Sequence, residues 1–259
     1  MIHPFKCGAI AALCALAAGA QAANVKVTVT AENLAPANSV SFAPLSLGFH
    51  SGDFDAFDLG GVATAPIISV AEFGAGQAYR DAFAAADPGA TVGIVPPVPL
   101  LPGATTSASF TVDTSVNRYF SFAAMVLPSN DFFIGNDAAT AYQLFDAAGH
   151  LQITQIEQSA RDVWDAGSEI FDPATAAFVG DIDAHRDQNS VVARNFAELA
   201  AFNGLLTGAG YTFDSQLSAD SPLYRISFAV AAVPEPGSYA LLSAGLLAVG
   251  FVARRRRQA

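Results

Sequence analysis

Phe120-Ser121-Phe122-Ala123-Ala124-Met125-Val126-Leu127-Pro128-Ser129-Asn130-Asp131-Phe132-Phe133-Ile134-Gly135 is the stretch whose reading decides the fold. From Arg118 to Leu127 almost nothing needs water, which predicts a central strand. Pro128 has no N–H and pushes Leu127 to extended geometry, so the strand stops there. The chain then passes through a polar tip at Asp131 and returns through Phe132 and Phe133.

The neighbouring segments fit the same architecture. Val25, Val27 and Val29 alternate with Lys26, Thr28 and Thr30, the period of a half-buried strand over Asn24–Asn33. Ser41–His50, Thr105–Asp113 and Leu223–Val233 also read as strands. Thr140–Phe145 and Leu151–Ile156 flank Asp146-Ala147-Ala148-Gly149 and predict a hairpin. Val95–Gly103 carries four prolines and reads as a loop or edge segment. Tyr79–Ala86 predicts a short helix, as does Asn189–Leu206, where Val192, Phe196, Leu199 and Phe202 stand near helical spacing. Ile67–Phe73 is a short apolar run, and Ser51–Gly61 an acidic loop whose spacing does not match an EF-hand. The expected fold is all-β, an antiparallel β-sandwich with a few short helices.

Both ends of the chain carry addresses. Lys6, the apolar Cys7–Ala20 run and Ala20-Gln21-Ala22 form a signal peptide over residues 1–22. Cys7 and Cys14, the only cysteines, lie inside it, so the body (residues 23–232) has no disulfide or cysteine metal site. That body holds seven basic and 22 acidic residues, a net charge of −15. Such a surface repels nucleic acid and favours divalent cations or plain solubility.

Residues 233–259 begin with Pro234-Glu235-Pro236, continue as an uncharged apolar segment over 238–253, and end on Arg254, Arg255, Arg256 and Arg257. The order predicts an extended junction, a short transmembrane helix and a cytoplasmic anchor. This tail resembles the PEP-CTERM sorting signal of Gram-negative bacteria. The resemblance implies passage across the inner membrane, processing by an exosortase-type enzyme, and release or transfer to the cell surface.

Two loops carry the acidic chemistry. One is the tip at Asp131. The other is Asp162-Val163-Trp164-Asp165-Ala166-Gly167-Ser168-Glu169, where the only tryptophan adjoins an aspartate and a second carboxylate follows four residues later. Carboxylates gathered from two loops make a hard-oxygen site suited to calcium. The same spacing also fits capping and turn aspartates on a solvated rim. The role of Asp162 stays open, Asp183-Ala184-His185 with Asp187 reads as a polar loop, and His50 and His150 read as polar edge residues.

At these residues the body resembles the spondin N-terminal domain. Phe120-Ser121, Met125, Pro128-Ser129, Asp131, Phe133 and Gly135 follow one family string. Trp164-Asp165-Ala166-Gly167-Ser168-Glu169 follows a second, and Ala71-Glu72-Phe73-Gly74 an upstream element. The likeness runs over about residues 24–180. It implies an antiparallel β-sandwich used in extracellular-matrix adhesion, with calcium held by Asp131, Asp165 and Glu169. Glu169 stands where the family has aspartate, so its carboxylate reaches one carbon further.

The expected function is that of a non-enzymatic surface or matrix protein, associated with biofilm exopolysaccharide or other surface proteins. Two alternatives remain at this point: a hydrolase acting on matrix polysaccharide through the acidic loops, and a metal-free structural matrix protein. The chain has no Gly-x-Ser-x-Gly elbow.

Overall fold

The computed structural model describes residues 24–95 and 98–233, together with Gly245 and Arg254. The signal peptide, the Pro234-Glu235-Pro236 site, Arg255 to Arg257, and all of segment 238–253 except Gly245 lie outside the described residues. No helix among the described residues is long and apolar enough to cross a membrane.

The elements in chain order are β1 (Asn24–Asn33), β2 (Ser41–Phe42), β3 (Leu45–His50), α1 (Ala65–Phe73), α2 (Gln77–Ala86), β4 (Thr91–Val95), β5 (Thr105–Asp113), β6 (Tyr119–Leu127), β7 (Phe132–Gly135), β8 (Gln155–Ser159), β9 (Trp164–Asp165), β10 (Ala193–Arg194) and β11 (Pro222–Ala232). They form two antiparallel sheets. One runs β5-β1-β11-β8, and the other β10-β9-β7-β6-β3-β4 with β2 paired to β6. β1 pairs with β11 along its length, from Val25 opposite Ala232 to Asn33 opposite Tyr224.

β1 buries Val25, Val27, Val29 and Ala31 and turns its alternate residues outward, as its period requires. β6 is buried from Phe120 to Leu127 because apolar layers cover both of its faces. The inner layer joins the two sheets. Phe120 lies edge-on to Phe228 at 4.9 Å, Phe42 to Tyr224 at 4.6 Å, and Phe49 meets Phe110 at 5.8 Å. Each such ring taken fully from water contributes roughly 1.5–3 kcal/mol.

The outer layer covers the other face of the second sheet. Phe54, Phe57, Ile67, Val70, Tyr79 and Phe83 gather there against Phe133 and Trp164. Thus the acidic segment at 51–61 exposes Asp53, Asp55 and Asp58 and buries its two phenylalanines. Gly48 lets α2 settle on β3, since a methyl group there would overlap the Phe83 ring.

Three segments differ from their sequence readings. Asn189–Leu206 is not a helix: it holds β10 and a 3-10 turn at Ala197–Phe202. Its backbone donors reach out of the segment, Val192 N–H to the Gly61 carbonyl and Asn195 N–H to the Val163 carbonyl. Its apolar residues serve two cores, Val192 the outer layer and Leu199 and Phe202 the inner one. The apolar run at Ile67–Phe73 lies within α1. The turn at Asp146 forms, with Asp146 Oδ1 accepting from the N–H groups of Ala148 and His150, but its flanks meet only through the isolated bridge of Phe145 with Leu151, and Gln155 and Ile156 pair with β11 instead.

Candidate metal centre

The turn between β6 and β7 is built to present Asp131. Beyond the cis Leu127–Pro128 peptide, Ser129 Oγ donates to the Val126 carbonyl and accepts from Phe132 N–H. Asp131 is 2 % exposed. Its Oδ2 accepts the backbone N–H groups of Ser168 at 2.7 Å and Glu169 at 3.0 Å, and the Ser168 hydroxyl at 3.3 Å. Its carbonyl accepts from Ala166 N–H. One aspartate therefore closes the second acidic loop onto the first.

Asp165 sits opposite Phe132 in the β7–β9 pair. Its Oδ1 accepts from Gly167 N–H at 2.8 Å and its Oδ2 from the Asn195 side chain at 3.1 Å. Gly167 has φ +66° and packs against the backbone of Ser190 and Val191, so the turn needs a residue without a side chain. Asp162 caps the 3-10 turn at Ala160–Asp162, its Oδ2 accepting from the Ser159 N–H and hydroxyl.

Glu169 is 2 % exposed, and its Oε1 accepts no hydrogen bond. It meets Glu72, a buried residue in the last turn of α1, and His185. One donor atom from each of Glu72, Glu169 and His185 lies within 4.8 Å of the others, the group that could hold a metal among the described residues. Of the three acids read from the loops, the structure thus brings Glu169 into this group. Asp131 and Asp165 stand beside it, with oxygens engaged by N–H donors.

The electrostatics follow from burial without a fixed cation. Burial pushes Asp131 up to about 7, with the Asp165 charge adding and the Ser168 and Glu169 hydrogen bonds opposing. Burial and then the Glu72 charge push Glu169 up to about 7. Burial raises Glu72 as well. His185 is raised, first by its hydrogen bond to the Ile182 carbonyl and then by the carboxylates of Glu169, Asp187 and Glu72. Gathered carboxylates of this kind favour protonation or a bound cation.

Sequence reasoning passed over two members of the group. In the sequence Glu72 stands out only as part of the Ala71-Glu72-Phe73-Gly74 string, and His185 reads as part of a polar loop. The signal for Glu72 was an acid within an apolar helical run. For His185 it was the density of acids around it, at Asp181, Asp183 and Asp187.

A model of the Spondin_N family matches residues 33–169, just over half of the chain. The PEP-CTERM protein-sorting motif matches residues 232–257. No curated protein matches the chain. The sorting motif implies a protein that passes through a membrane, is processed by an exosortase, and ends at the surface or outside the cell. On the span of the first match, the chain belongs to the Spondin_N family, and it carries the PEP-CTERM sorting motif beside that domain.

Proposed function

We propose that the protein is a non-enzymatic component of the bacterial surface or extracellular matrix. Its spondin-like β-sandwich binds calcium through Asp131, Asp165 and Glu169 and serves adhesion within an exopolysaccharide-rich biofilm. The observation that carries this reading is the buried Oε1 of Glu169, without a hydrogen bond and facing a second buried carboxylate. The donor chemistry fits a hard cation, since these acids supply oxygens only, and calcium tolerates irregular sets of 6–8 of them. Bound there, calcium would neutralise the clustered carboxylates and cross-link the two loops that Asp131 already joins.

The test is thermal unfolding of the purified full chain in detergent, with EGTA or with millimolar calcium, beside an Asp131→Asn/Asp165→Asn double variant. Calcium at 100 times its dissociation constant stabilises by ~2.7 kcal/mol, several degrees for a domain of this size. A rise lost in the variant supports the reading. Equal melting in both solutions sinks it and leaves a metal-free structural role.

A further inference from the structure

We propose that Glu72, Glu169 and His185 form a binding site for a transition-metal dication of the zinc class, with Glu72 and His185 as ligands outside the calcium set. The inference rests on the cation reading of the same cleft through one shared residue, Glu169.

The geometry points to a filled rather than an idle cluster. Three donor atoms converge within 4.8 Å. Glu169 and Glu72 are 2 % and 4 % exposed, and Glu169 Oε1 is buried with no hydrogen bond. Among the described residues neither glutamate forms an ion pair with lysine or arginine. Among the described residues, the basic group paired with Glu169 Oε1 is His185 Nδ1, at 3.7 Å. Two desolvated carboxylates are costly unless a cation joins them.

The histidine decides the class of ion. Calcium and magnesium take oxygen ligands, whereas imidazole suits zinc and its neighbours, and a mixed nitrogen and carboxylate set is ordinary for zinc. The two ring nitrogens of His185 face different partners. Its Nδ1 lies 2.7 Å from the Ile182 carbonyl. Donation there leaves the lone pair on Nε2, so ligation beside Asp187 uses Nε2, and ligation from the Glu169 side uses Nδ1, 3.7 Å from Glu169 Oε1, in place of its bond to Ile182.

Further contacts hold the ring and complete the set. The edge of His185 rests against Phe73 at 5.9 Å, next in sequence to Glu72. Asp187 Oδ1 is 3.3 Å from His185 Nε2, and Asp187 is bridged to Glu169 through the backbone. Asp187 or a water therefore supplies the fourth position of a tetrahedral site. The cleft opens past Ile68 and Gln188, which gives the ion an entry path. Zinc sits about 2.0–2.2 Å from such donors, so the three donor atoms, now within 4.8 Å of one another, would draw closer together around the ion. His185 lies outside the residues matched by the family model, 33–169.

The experiment uses the full chain without a polyhistidine tag, stripped with EDTA and dialysed against zinc chloride or calcium chloride. Metal content, melting temperature and the visible spectrum of the cobalt(II) form are read. The expected result is about one zinc per chain, cobalt bands of a nitrogen–oxygen site, and zinc affinity lowered about tenfold or more in His185→Ala and in Glu72→Gln. Asp165→Asn keeps its zinc. Zinc content that survives His185→Ala, absence of bound zinc, or displacement by equimolar calcium overturns the proposal. If calcium alone raises the melting temperature, the calcium reading stands and this one falls. If zinc alone does so, the reverse holds.

Discussion

The backbone N–H of Glu169 donates to Asp131 Oδ2 at 3.0 Å, so the residue that ends one acidic loop sets where the other loop aims its carboxylate. Asp131→Ala leaves the Ser168 and Glu169 N–H groups buried without acceptors. The expected loss is ~2–4 kcal/mol, read as a lower denaturation midpoint at unchanged slope. Asp131→Asn keeps an acceptor oxygen and should lose less.

Glu169 in the folded chain holds its proton up to about 7, against an ordinary 4.5. Between those values the folded state binds more protons than the unfolded state, so this group's contribution makes stability fall as pH rises from about 4.5 to about 7. Below 4.5 the cost disappears. Metal-free Glu169→Gln should therefore be more stable than the parent at pH 7.5 by ~2 kcal/mol and no more stable at pH 4. Urea titrations at the two pH values check the difference.

His50 behaves in the opposite sense. It is fully buried, its Nδ1 accepts from Gly52 N–H, and its Nε2 lies 3.0 Å from Ser121 Oγ. Burial pushes it down to about 4 from 6.5, with Asp87 and Asp53 opposing. Here the unfolded state binds the proton more readily, so stability contributed by neutral His50 is complete above 6.5 and is lost as pH falls towards 4. In His50→Asn that part of the acid sensitivity should vanish, and a parallel pH series of melting temperatures would show it. A slope unchanged by the substitution contradicts the assignment.

Arg194 places its guanidinium carbon 3.3 Å from the centroid of the Trp164 ring, whose Nε1 donates to the Gly135 carbonyl. Loss of the cation in Arg194→Ala should cost about 0.5–2 kcal/mol. Trp164 is the only tryptophan, so its emission reports the change directly. Arg194→Lys should retain part of the stability.

The sheets were legible where one physical demand acts on a whole segment. β1 faces core on one side and water on the other, so its period shows. β6 is covered on both sides, so its unbroken apolar run shows. Asn189–Leu206 misled because its apolar residues answer to two different cores. Their spacing imitates a helix, while the backbone N–H groups of Val192 and Asn195 bond to Gly61 and Val163. The acids of the candidate site were visible as types, but the grouping was not. Asp131 is engaged by the N–H groups of Ser168 and Glu169 on the other loop, Asp165 by Gly167 and Asn195, and Glu169 turns instead to Glu72 and His185, 97 residues before it and 16 after it. Only the docking of α1 beside the 168–187 segment brings those positions together.

The antiparallel pairing of β1 with β11 has a consequence for presentation. Val25 faces Ala232, so the start of the body and the strand that enters the sorting motif leave the molecule side by side. The contact of Phe120 with Phe228 puts the Tyr119 end of β6 at that same pole. Its Leu127 end, leading to Asp131, points to the opposite pole. The two ends of the body therefore share one pole of the sandwich, and the turn that presents Asp131 stands at the other. Because β11 lies between β1 and β8, the last strand of the body is also an inner one: the first sheet stays split into β5-β1 and β8 until the segment that leads into the sorting motif takes its place.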